Sequence, residues 1–247
     1  MKKPSKKIPK KFWQNAAVEV FLMIIWVGAL VIAMQLIIGY LMLWILGADN
    51  FSQPVWTAVY SALVYVLVMA LIIFVPKRTV SRTGLGLREL PTWTDIGLVP
   101  VGFVIYLILA AILVAFFSLF PWFNAEEAQE IGFSVYVMGF DRIVAFITLV
   151  VIAPIAEEII FRGWLYGKMR EKLNEKVSNR ASMLISIGLV SLLFGAVHLQ
   201  WNVGVNVFAM SVVLCSLREI TGTIYSGILL HILKNGVAFY LLYVLGI

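Results

Sequence analysis

Apolar residues run without a helical or strand-like interruption through seven stretches of this chain, at 18–46, 55–75, 96–120, 142–168, 181–199, 203–218 and 222–246. Each is continuously hydrophobic rather than alternating, and long enough to cross a hydrocarbon layer of about 30 Å as a helix of roughly 20 residues. The lack of dyad alternation sets aside a membrane β-barrel. The pattern therefore predicts an all-α polytopic membrane protein of about seven to eight transmembrane helices. The first and fourth stretches exceed what a bilayer needs and are expected to tilt, break or extend into water. An eighth element is expected within 124–140, where the short, Gly-punctuated GFSVYVMGF follows the acidic NAEEAQE. It reads as an interfacial or re-entrant segment.

Composition agrees with the pattern. The chain is 62% hydrophobic and 13% charged, with a mean hydropathy of +0.98. A soluble domain of that balance would carry an apolar surface, so the bilayer is the expected surrounding. The net charge of +6 raises nucleic acid as a partner, but its placement has another account. Sixteen of the 19 basic residues fall in the N-terminal tail and in the connections after the second, fourth and sixth stretches. Lys and Arg mark the cytoplasmic side, so the N-terminus is expected there, and no nucleic acid is expected to bind. The other connections, around Asp49, Glu126 and Gln200, are neutral or acidic, with Trp44, Trp56, Trp122 and Trp201 near them as an interfacial belt. The tail 1–17 is too charged to fold alone and is expected to lie on anionic headgroups. The hydrophobic stretch after it is too long for a signal peptide, so none is expected to be cleaved. The single cysteine, Cys215, has no partner in the chain for a disulfide.

Chemistry enters with the ionisable residues at membrane depth, which cost on the order of 2.5–3.5 kcal/mol each on insertion scales and are seldom there without a function. The fourth stretch carries Glu157 and Glu158, then Arg162. Both histidines of the chain, His198 in the fifth and His231 in the seventh, also sit in apolar runs. Glu158 and Arg162 are spaced i,i+4 and share a helix face, acid before base. Glu157 points about 100° away, free to face another wall. Pro154 lacks an N–H, so it is expected to free the carbonyl of Val150 and bend the helix just before the carboxylates. Phe194 and His198 share a face, as do His231 and Asn235. A lone histidine on an apolar helix is most often a core residue bonded to a carbonyl, and the Glu158–Arg162 pair could simply pin helices. Two histidines, an amide and a carboxylate pair together point instead to one buried polar site. Neutral imidazole serves as base or metal ligand, and a buried carboxylate suits general-base work on water. Two other hydrolytic motifs are absent: neither histidine has the H-E-x-x-H spacing, and no serine has a convincing G-x-S-x-G context.

The segments Glu157-Glu158-Ile-Ile-Phe-Arg162-Gly163, Phe194-Gly-Ala-Val-His198 and His231-Ile-Leu-Lys-Asn235 resemble, in order and without gaps, the E-E-x-x-x-R, F-x-x-x-H and H-x-x-x-N motifs of the CAAX-protease and bacteriocin-processing (CPBP/Abi) family of intramembrane proteases. The resemblance covers roughly 142–246 and divides the chain into the basic tail 1–17, N-terminal transmembrane helices over 18–141, and a catalytic core over 142–247. It implies hydrolysis of a peptide bond in a membrane-embedded or membrane-anchored substrate. Glu157 and His198 would activate water, and His231 with Asn235 would bind the oxyanion. Glu158, Arg162 and Phe194 would support them. Metal-dependent and metal-free mechanisms both stay open, and in the former Glu157, His198 and His231 would hold Zn²⁺. The resemblance also makes a bacterial cell membrane the expected setting, and leaves as its alternative a non-catalytic immunity or scaffold protein of the same fold.

Overall fold

The computed structural model describes residues 10–47, 52–74, 82–87, 90–127 and 138–246. The expected element within 124–140 lies largely outside them. Among the described residues, seven helices are long and apolar enough to cross a membrane. In chain order these are α1 (Lys10–Leu46), α2 (Gln53–Phe74), α3 (Trp93–Phe117), α4 (Gly139–Asn174), α5 (Asn179–Ala196), α6 (Trp201–Thr221) and α7 (Tyr225–Leu245). The protein is an all-α integral membrane protein, with no strand among its described residues.

Its polarity is inverted relative to a soluble fold. Phe21, Leu36, Tyr40, Val104, Ile108 and Ile112 point outward, as lipid-facing residues do, whereas Asp95, Thr148, Glu158, Arg162, Ser182, Ser211, Ser226 and His231 are buried. With no apolar driving force between helices in lipid, small residues and polar contacts hold such a bundle. At the α5–α6 crossing, a Cβ on Gly195 would stand 2.7 Å from the carbonyl oxygen of Gly204, so only glycine allows that approach. At the start of α3, Thr92 and Asp95 cap the helix reciprocally. Asp95 also accepts hydrogen bonds from Thr223 (2.7 Å) and Ser226 (2.9 Å), which ties α3 to the α6–α7 turn.

Two boundaries differ from the sequence reading in ways that bear on the site. The fourth span continues to Asn174 and turns back through Ser178, whose hydroxyl accepts the N–H of Ala181 to start α5. At about 1.5 Å per residue, α4 runs well beyond the bilayer, as its length implied. The fifth span ends at Ala196, so His198 lies in the turn after α5 rather than within the helix. Tighter i→i+3 bonds, His198 N–H to Gly195 and Leu199 N–H to Ala196 (both 3.2 Å), close that turn. Leu199 then adopts φ +58, an unfavourable region for a branched aliphatic residue, to send the chain into α6.

Candidate active site

The site is built on α4, around Pro154. On either side of the proline the helix widens into π-helical turns, over Ile147–Ile152 and Glu158–Leu165. Such turns are frequent where a helix must re-aim side chains. In the first, the N–H of Ala153 bonds to the carbonyl of Thr148, five residues back. In that register the missing N–H of Pro154 leaves the carbonyl of Leu149, five residues back, without its backbone partner. The side-chain amide of Asn235 on α7 donates to that Leu149 oxygen at 2.9 Å. A defect in one helix is thereby satisfied by a motif residue of another. The amide nitrogen carries two protons, so one remains after this bond.

Glu158 and Arg162 form the expected pair on one face of α4, at 2.9 Å and with both side chains 0% exposed. The same carboxylate oxygen accepts the Nδ1 proton of His231 at 3.0 Å. An ionised carboxylate can only accept, so Glu158 assigns that proton to Nδ1. A Cβ at Gly227 would lie 2.9 Å from the other Glu158 oxygen, so any larger residue there would displace the carboxylate. Phe194 packs at the centre of the cluster. The Arg162 guanidinium lies 4.2 Å above its ring, and the imidazoles of His198 and His231 meet it edge-on at 5.2 and 6.0 Å.

Glu157 faces a different wall, as its helical position predicted, and lines a cavity of about 290 Å³ together with His198, His231 and Asn235. One of its oxygens accepts the hydroxyl of Tyr65 at 2.8 Å, and the other stands 3.7 Å from Nε2 of His231. His198 donates Nδ1–H to the carbonyl of Phe194 at 2.7 Å, the ordinary fate of a histidine at that spacing. That bond leaves Nε2 as its lone-pair nitrogen. Burial holds the His198 imidazole below the usual histidine range, against the nearby charge of Glu157, and so favours the neutral form. The four motif side chains named for chemistry thus border one cavity, while Arg162, Glu158 and Phe194 lie behind it.

The sequence reading passed over Tyr65 and Lys234, both of which line this cavity. Tyr65 left a signal in its position. It lies in the middle of α2, whereas tyrosines of membrane helices concentrate at the interfaces. Lys234 stood inside a motif as an unremarked variable position. Tyr243 also lines the cavity, with a buried hydroxyl that has no hydrogen-bond partner among the described residues.

For zinc, the 3.7 Å between His231 Nε2 and Glu157 would suit two ligands of one ion. Catalytic zinc sites take three protein ligands, and among the described residues no group of three His, Cys, Asp or Glu side chains is placed to hold a metal. Asn235, already bonded to Leu149, is an unusual zinc ligand. The residues as placed do not fit the ion.

Compared with known proteins, residues 139–237 match a family model described as Rce1-like, type II CAAX prenyl endopeptidase Rce1-like. No curated protein and no solved structure matches the chain. The matched segment contains all three motifs, and α1, α2 and α3 lie outside it.

Proposed function

We propose that this protein is an intramembrane endopeptidase acting on a membrane-embedded or membrane-anchored peptide substrate, a reading supported by the similarity of residues 139–237 to the family model described as Rce1-like, type II CAAX prenyl endopeptidase. The observation that carries the reading is the shared cavity. Glu157, His198, His231 and Asn235 come from two helices and a turn, and all border one space large enough for water and a peptide bond.

In this reading a water molecule donates one hydrogen bond to Glu157 and one to the lone pair of His198 Nε2. Glu157 takes a proton as the water oxygen attacks the scissile carbonyl. The resulting oxyanion is met by the second amide proton of Asn235, whose first is anchored on Leu149. A preorganised donor of this kind is worth about 10²–10³ in rate. His231, held by Glu158 through Nδ1, faces the same cavity with Nε2 and is the second group that meets the oxyanion. Collapse of the tetrahedral intermediate breaks the C–N bond, and Glu157 returns its proton to the leaving amine. The distribution of Lys and Arg supports a cytoplasmic N-terminal tail, and the setting proposed is a bacterial cell membrane.

The test is cleavage of a membrane-anchored peptide by the purified protein, with and without a chelator, read beside elemental analysis. Chelator-insensitive cleavage and zero metal in wild type and His198→Ala alike are expected. Stoichiometric metal that is lost in His198→Ala would overturn the metal-free mechanism. A folded protein that cleaves no peptide would leave the scaffold alternative.

Pro154 offers an independent check on the oxyanion donor. Pro154→Ala restores an N–H that competes for the Leu149 carbonyl, so the backbone gains a hydrogen bond while Asn235 loses its anchor. Turnover is expected to fall about tenfold or more without loss of thermal stability, since a misplaced donor forfeits much of its value. Unchanged turnover would show that the anchor is not needed.

A further inference from the structure

The Tyr65 hydroxyl donates to Glu157 from a helix outside the matched family segment, and from this contact we infer that Tyr65 is a positioning residue for the water-activating carboxylate. The inference rests on the assignment of Glu157 as general base.

The direction of the bond is unambiguous. A phenol has one proton and an ionised carboxylate only accepts, so the 2.8 Å contact is Tyr65 O–H to Glu157 Oε1. With Oε1 held, Oε2 is the oxygen left to face His231 Nε2 at 3.7 Å, a separation too long for a direct hydrogen bond. Other charged or titratable groups approach Glu157 from each neighbouring element: His231 and Lys234 on α7, His198 in the turn after α5, and Glu158 with Arg162 on α4 itself. None of these is within hydrogen-bond distance of Oε1. A glutamate side chain on a helix has three rotatable bonds, and the Tyr65 hydrogen bond is the contact that selects one carboxylate orientation among them.

The bland alternative is that the hydroxyl merely joins α2 to α4. The packing argues against it. Val64, Val68 and Ile72 of α2 are buried in one apolar cluster with Ile160 and Trp164 of α4. That interface holds the helices together without the phenolic oxygen. Tyr65 also borders the cavity rather than the lipid face.

The test compares Tyr65→Phe with Tyr60→Phe, a control on the same helix whose hydroxyl bonds the carbonyl of Gln35 at 3.2 Å. For Tyr65→Phe, kcat is expected to fall about tenfold or more, the scale of a lost hydrogen bond to a charged group. KM and the thermal unfolding midpoint are expected to stay at the wild-type values, and Tyr60→Phe is expected to match wild type throughout. A Tyr65→Phe enzyme with wild-type kcat, in a background where Glu157→Gln is inactive, overturns the positioning role and leaves the catalytic reading intact. A rise in KM at constant kcat overturns it in favour of a substrate contact. A lowered unfolding midpoint that accounts for the lost activity overturns it in favour of packing. If Glu157→Gln itself turns over normally, the general-base assignment fails and the inference with it.

Discussion

Glu157→Gln is expected to lower peptide cleavage on the order of 10²-fold or more while the protein stays folded in detergent. Glutamine is nearly isosteric, and its amide oxygen still accepts the Tyr65 hydroxyl that now meets Oε1. The buried pair behind the site, Glu158 with Arg162, is untouched by the change. What disappears is the capacity to take a proton from water, so the loss should appear in kcat with little change in thermal midpoint. Turnover near that of wild type, measured on the same membrane-anchored peptide, would sink the assignment of the base.

The second large effect is expected at Arg162, and it should differ in kind. Its guanidinium meets Glu158 at 2.9 Å where neither side chain is exposed, and lies over the Phe194 ring. In Arg162→Ala the carboxylate of Glu158 remains buried, with one oxygen already lacking a hydrogen-bond partner. Removing one partner of a buried pair costs about 3–5 kcal/mol, because the other charge is stranded. Activity should fall too, since the same Glu158 oxygen holds Nδ1 of His231. Thermal unfolding in detergent, followed together with cleavage, is therefore expected to show both losses. Arg162→Lys keeps the charge but gives up the planar fork and the stacking, and is expected to fall between the two. An Arg162→Ala protein as stable as wild type and only inactive would assign Arg162 to substrate binding instead.

Much of this was legible in the chain. Membrane spans are dictated by local hydropathy, since backbone groups in lipid are satisfied almost entirely within their own helix, and so the seven spans of the described residues could be read one at a time. Helical spacing is equally local. It placed Glu158 and Arg162 on one face, turned Glu157 toward another, and paired His231 with Asn235. Tertiary structure decided what those faces meet. No local rule brings Tyr65 to Glu157 across 92 positions, or directs His231 onto Glu158 across 73. The register of α4 was likewise decided by packing. Beside the π-helical turn before Pro154, the Leu149 carbonyl is met by a side chain from α7, Asn235. The position of His198 depended on where α5 stops, at Ala196, next to the close α5–α6 approach at Gly195 and Gly204 and short of the end of the apolar run at 199. Hydrophobicity and periodicity are properties of neighbours in the chain, and they determined the helices and their faces. Which donor meets which acceptor depends on how those helices pack, and that the fold alone decided.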